Sequence, residues 1–263
     1  MFLKLLMIIS LTLGLTGLAQ TADLSREKRI AEQIEEAILD GDPVYLKDGE
    51  HEFLSIFMRS EAENVKGAVI LMHGHGANPD WIDVIQPLRI GLTEYGWDTL
   101  SIQLPVAREG ATDKESMATI PEAAPRIEAA LAYLKQNSHP RVVLVSHSFG
   151  SSMAAAYLAN KKISEQIQGF VSIGMSADMN DKESGNLAAL RKIKLPIYDI
   201  YGERDLKSVL ESASERKLAA RDAENTAYRQ NLISGADHFF AGLNDELLAT
   251  VRAWLFQIST TQK

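Results

Sequence analysis

The chain of 263 residues contains no cysteine. That absence removes disulfide frameworks, thiol nucleophiles, thiolate metal sites and lipid attachment through a cysteine. Aromatic residues are sparse at 7%, and 27 Lys and Arg face 35 Asp and Glu, for a formal net charge of −8. An acidic balance disfavours nucleic acid and anionic membranes as partners and says little about a neutral small molecule. No Pro/Ser-rich linker or internal repeat divides the sequence. Long apolar runs are missing too, apart from one at the start. Within residues 1–19, Lys4 is the only charge, residues 5–18 are mainly apolar, and Gly17-Leu18-Ala19 offers small residues ahead of a cut. This has the form of a secretory signal and is short for a membrane span. The expectation is a mature protein from about Gln20, exported to a bacterial periplasm or secreted, with no stable membrane insertion after cleavage. An uncleaved anchor is the alternative.

What the chain does contain is Ser146-His147-Ser148-Phe149-Gly150, directly after the apolar run Arg141-Val142-Val143-Leu144-Val145. Good helix formers follow it, from Ser151 to Ala159. A buried strand, a tight turn with Ser at its tip and small residues around it, then a helix, is the layout of a nucleophile elbow. Such a turn lifts the Ser148 hydroxyl above the sheet and sets a backbone N–H beside it at a helix N-terminus. Its tightness requires small residues at Ser146 and Gly150.

A serine nucleophile needs a base, and the base needs an orienting acid, in the order Ser, Asp/Glu, His along such a chain. The run 195–201 reads as a buried strand, with Gly202-Glu203-Arg204-Asp205 as a turn at its end. The run 226–233 reads as another strand, leading into Ser234-Gly235-Ala236-Asp237-His238. Both polar groups fall just past the C-terminal ends of strands, the edge where open α/β sheets place their sites. Asp205 is therefore the candidate orienting acid and His238 the candidate base. Asp199, Glu203 and Asp237 are the competing acids.

Upstream, the strand 67–72 runs into His73-Gly74-His75-Gly76-Ala77-Asn78. Glycines here let backbone N–H groups come close to a developing oxyanion. The two donors assigned are the backbones of His75 and Phe149, with Gly76 as the alternative to His75. His73 and His75 alternate along an extended chain and point opposite ways, so no metal site is expected there. No cofactor is expected either.

Met72-His73-Gly74, Ser146-His147-Ser148-Phe149-Gly150, Tyr201-Gly202-Glu203-Arg204-Asp205 and Ala236-Asp237-His238 together resemble the α/β-hydrolase superfamily, over about residues 66–258. The segment from His73 to Trp81, with Pro87-Leu88 and the run 96–101, is further similar to an uncharacterised family of exported proteobacterial α/β-hydrolase-like proteins. Ser146 departs from the glycine usual at that position. The resemblance implies a mostly parallel sheet flanked by helices, and a Ser-His-Asp hydrolase of esters or thioesters acting on a small acyl substrate. Two other readings stay open: a non-enzymatic scaffold or binding protein on the same fold, and a peptidase or amidase using the same three residues.

The rest of the chain fits one domain over 20–263, an opening helix and strands within 20–65 and a core over 66–263. Helices are expected at 26–39, 81–95, 120–136, 186–193, 211–222 and 245–258, and strands at 43–46, 52–58, 99–104 and 169–175. The connection 176–194 is too short for a separate cap domain, so the site is expected to be open and to favour short acyl chains. Residues 106–119 read as a polar loop bordering the pocket, with Arg108 able to meet a substrate carboxylate. Trp81, Met175 and Phe239 are candidates for an apolar lining.

Overall fold

The computed structural model describes residues 21–49, 51–160, 164–177 and 185–261. The expected signal segment, residues 1–19, lies outside them. The opening helix α1 (Leu24–Ala37) begins at Asp23, whose side chain accepts a hydrogen bond from the Arg26 N–H. It is followed by β1 (Asp42–Lys47), β2 (Glu52–Met58) and β3 (Gly67–Met72). Next come α2 (Ile85–Gly91), β4 (Trp97–Ile102), α3 (Asp113–Met117), α4 (Ala123–Gln136), β5 (Val142–His147) and α5 (Phe149–Asn160). The chain closes with β6 (Ile167–Ile173), α6 (Gly185–Leu190), β7 (Ile197–Arg204), α7 (Lys207–Glu211), α8 (Ala213–Asp222), β8 (Tyr228–Asp237) and α9 (Asn244–Thr261).

The eight strands form one sheet in the order β1-β2-β4-β3-β5-β6-β7-β8. β1 and β2 pair antiparallel, as do β2 and β4, and every later pairing is parallel. Parallel strands need crossovers that cover both faces, which is why β3, β4 and β5 are buried along their whole length. Side-chain alternation divides them between two cores. Val142 and Leu144 of β5 join Ala68, Ile70 and Met72 on one face, while Val143 and Val145 join Val69 and Leu71 on the other.

Several segments differ from the sequence expectation: β7 runs on to Arg204 through residues expected as a turn, and the helix expected over 186–193 ends at Leu190. The helix expected over 81–95 is shorter, because only Ile85–Gly91 is α-helical and Leu92–Tyr95 tightens into a 3₁₀ turn. Ile82, expected to face inward, is 69% exposed. The helix expected over 211–222 breaks at Ser212, whose hydroxyl donates to the Ser208 carbonyl. The loop expected over 106–119 contains α3, started by a capping box in which Thr112 and Glu115 satisfy each other's backbone N–H groups.

Candidate active site

Ser148 occupies the turn between β5 and α5 with φ 52°, a left-handed backbone uncommon for a residue with a side chain. Its N–H donates to the Ile173 carbonyl at 2.8 Å, and its carbonyl accepts from Ser151 N–H at 2.9 Å. The turn fits because neighbours are absent. A Cβ on Gly150 would lie 2.4 Å from the His73 carbonyl oxygen, and one on Gly74 would lie 3.1 Å from the Ser148 Cβ. Ser146, in place of the usual glycine, is accommodated. Its buried hydroxyl hydrogen-bonds to the Ser151 hydroxyl at 3.0 Å and the Val171 carbonyl at 3.2 Å.

β7 and β8 end beside this turn and bring the two distant groups to it. His238 Nε2 lies 2.9 Å from Ser148 Oγ, and His238 Nδ1 lies 2.6 Å from Asp205 Oδ1. A carboxylate only accepts, so Nδ1 carries the proton and Nε2 is left as an acceptor facing the serine hydroxyl. Burial works against the Asp205 carboxylate. The hydrogen bond and charge of His238, with the N–H groups of Gly202 and Leu206, nevertheless hold it below the usual carboxyl range. The competing acids are engaged elsewhere. Asp199 is buried against Arg216, Tyr228 and Gln230. Glu203 accepts from Ser234 and the Gly235 N–H, and Asp237 accepts from the N–H groups of Phe239 and Ala241.

Two residues that sequence reasoning did not single out hold the His238 ring. Gly174 has φ 61°, and a Cβ there would lie 2.9 Å from His238 Cε1 and 3.0 Å from Nδ1. His147 lies against the imidazole with ring centroids 4.9 Å apart, and its Nε2 donates to the His238 carbonyl at 2.9 Å. Burial, reinforced by the neighbouring His238, pulls the His147 pKa down to about 4. It is therefore neutral at pH 7 and sets no positive charge beside His238. The signal for His147 was its place inside the elbow string itself.

The loop after β3 is braced by the buried His73. Its Nδ1 donates to the Gly74 carbonyl at 2.9 Å, and its Nε2 accepts from the Leu104 N–H at 3.0 Å. Burial pulls its pKa down to about 4 as well. His75 follows, its ring edge-on to Phe149 at 5.8 Å and its Nε2 3.1 Å from the Ser116 hydroxyl of α3. His75, Phe149 and Ser148 line one cleft of about 450 Å³ with Ser152, Met117 and Ile120. The Phe149 amide falls in the first turn of α5, where no intrahelical carbonyl reaches it. Gly76 lines a small crevice beside His75 rather than this cleft.

The other pocket candidates divide. Phe239 stands at the site, 45% exposed, with its ring edge-on to His238 at 5.2 Å. Trp81 is corrected to a packing residue against the core around Val84, Ile85 and Leu88. Met175 is corrected likewise: it is fully buried in the opposite core. Strand alternation and crossover packing, not proximity in sequence, decide which side chains reach the cleft. Arg108 is corrected to a surface ion pair with Glu115 at 2.6 Å. The Glu115 carboxyl is pulled down to about 2, first by the Thr112 backbone N–H and then by Arg108. Among the described residues, no three His, Asp or Glu side chains cluster as metal ligands would.

No curated protein matches the sequence. Solved structures do. A serine hydrolase homologue from Coxiella burnetii superposes with a TM-score of 0.63 at 17% identity, over 82% of this chain and 98% of that one. Dienelactone hydrolase from Anabaena variabilis gives 0.64 at 22% identity, over 83% and 97% of the two chains. An esterase from Pyrococcus furiosus gives 0.66 at 16% identity, over 85% and 92%. At these identities the likeness establishes the fold. The profile of the family described as "protein of unknown function (DUF3530)" matches residues 16–126 and 121–257. With its parallel sheet and serine elbow, the chain is an α/β-hydrolase fold and belongs to the DUF3530 family.

Proposed function

We propose that this protein is an exported serine hydrolase that cleaves a carboxylic ester or thioester through an acyl-enzyme. The observation that carries the reading is the unbroken hydrogen-bonded relay from Ser148 through His238 to Asp205, mounted on a left-handed elbow. In this reading Ser148 Oγ attacks the acyl carbonyl while its proton passes to His238 Nε2. The oxyanion that forms accepts hydrogen bonds from the amides of Phe149 and His75. As the intermediate collapses, the C–O or C–S bond breaks and the leaving group takes the proton from His238. Water then repeats the sequence on the acyl-serine and releases the acid. Asp205 keeps His238 in the required tautomer and stabilises the imidazolium. The chemistry balances without a metal or cofactor, and its partner is a small acyl substrate.

The names of the structural neighbours, an esterase and a dienelactone hydrolase among them, support the same chemistry. Export rests on residues 1–19. No helix among the described residues is long and apolar enough to cross a membrane. The test is hydrolysis of p-nitrophenyl acetate by purified protein. Turnover that vanishes in Ser148→Ala and collapses in His238→Ala supports the reading; turnover retained in either variant overturns it.

A further inference from the structure

Ser152, Ala156 and Ala159 continue along α5 on the side that begins at Ser148, because residues three and four apart stack on one helix face. All three are small. The cleft at Ser148 shares Met117, Ile120, Ser152, Gly185 and Asn186 with a second cavity of about 600 Å³. This cavity runs over Ala156 and Ala159, between the 3₁₀ turn Ile120–Glu122 on one side and α6 on the other, and reaches Lys192. Pro121, Ala124, Met153 and Ala189 make its walls mainly hydrocarbon. Of the polar side chains in its lining, Ser152 and Asn186 are hydrogen-bonded to each other, and an aliphatic chain laid along the hydrocarbon walls gains with each methylene it buries. The sequence expectation of an open site favouring short chains did not include such a groove. α3 and α6 supply a groove without any separate cap domain.

We infer that this groove receives an extended aliphatic chain of medium length, attached to the ester or thioester at Ser148. The inference rests on the hydrolase reading above. A rise of 1.5 Å per residue puts Ala156 about 12 Å and Ala159 about 16 Å from Ser148. With carbon–carbon bonds of about 1.5 Å in zigzag, that is room for roughly ten carbons. The chain enters either as the acyl group or as the alcohol, and two substrate series tell these apart.

The experiment measures kcat/KM on p-nitrophenyl esters from acetate to palmitate, and on acetate esters of alcohols of graded length. One series should rise about three- to fourfold per methylene to roughly ten carbons and then level off. A rise in the first series assigns the groove to the acyl group, and a rise in the second to the alcohol. Flat profiles in both overturn the inference. Ala156→Trp should cut the rise short at fewer carbons than Ala159→Trp, since it blocks the groove nearer Ser148. Should Ala156→Trp fail to fold, Ala156→Leu tests the same direction. Unchanged profiles in folded variants overturn the inference. Calorimetry with decanoate separates this inference from the reading on which it rests. If no ester of any length is hydrolysed, yet decanoate binds and Ala156→Trp weakens it at least tenfold, the groove stands and the hydrolase reading falls. If acetate is hydrolysed and decanoate does not bind, the groove falls and the hydrolase reading stands.

Discussion

Replacing Gly174 by alanine would put a methyl group into the space that holds the His238 ring. Two costs follow. The backbone there has φ 61°, and a left-handed alanine costs about 1 kcal/mol. The new Cβ would also stand 2.9 Å from His238 Cε1 and 3.0 Å from Nδ1, against an ordinary contact of about 3.5–4.0 Å. The ring must then shift by roughly 0.5–1 Å. It has little room to do so, with His147 against it and Phe239 edge-on to it. The shift would stretch the 2.6 Å bond to Asp205 and the 2.9 Å bond to Ser148 together. Because about 1 Å of misplacement costs on the order of 100-fold, Gly174→Ala should lower kcat by about 10- to 100-fold and change KM little. Gly242→Ala is the control, since that glycine has φ 74° and nothing within 4 Å of the added methyl. It should lose about 1 kcal/mol in urea unfolding and keep its turnover. Hydrolysis of p-nitrophenyl acetate by both variants decides the point. If Gly174→Ala loses no more turnover than Gly242→Ala, the glycine does not hold the histidine in place.

Other substitutions separate chemistry from stability. Asp205→Asn should reduce kcat by about ten-thousandfold in steady-state assays, because the amide favours the wrong imidazole tautomer. Asp199→Asn should instead destabilise the fold by about 3–5 kcal/mol in urea while chemistry persists at low denaturant, since it strands the buried Arg216. Ser146→Ala should keep turnover and lower stability by about 1 kcal/mol, the value of the hydrogen bonds its hydroxyl makes. His73 and His147 have folded pKa values of about 4 against an ordinary 6.5, so the unfolded chain takes up protons first on acidification. Their contribution is complete above pH 6.5 and is lost as pH falls toward 4, by roughly 3 kcal/mol each. Urea midpoints at pH 7.5 and 4.5 should show a smaller loss in His147→Gln than in wild type, and an equal loss would refute the assignment.

The meeting of Ser148, Asp205 and His238 was legible because each signal is local: a serine, an aspartate and a histidine, each directly after the C-terminal end of its own strand. Parallel pairing then brings those ends to one edge, whatever the details of packing. That Asp205 and not Asp199 reaches His238 was legible for a related reason, since Asp199 falls inside the strand and not at its end. The pocket was not legible. Trp81 and Met175 were near the right strand ends in sequence, but crossover packing turned them into the cores. The groove along α5 draws on α3 and α6, which come from segments 31 or more residues from Ser148 on one side and 37 or more on the other. One signal was available for it. Thr112-Asp113-Lys114-Glu115 has the spacing of a capping box and marks α3 inside a stretch otherwise read as loop. Gly174 carried no sequence signal of its own, because only the folded chain places His238 against it.

The most direct measurement is intact-mass analysis of the protein after treatment with a fluorophosphonate, followed by peptide mapping. A single adduct on Ser148 is predicted, absent in Ser148→Ala and retained in Ser146→Ala. An adduct that survives Ser148→Ala, or a folded wild-type protein that takes up no label, would contradict the assignment of Ser148 as the nucleophile.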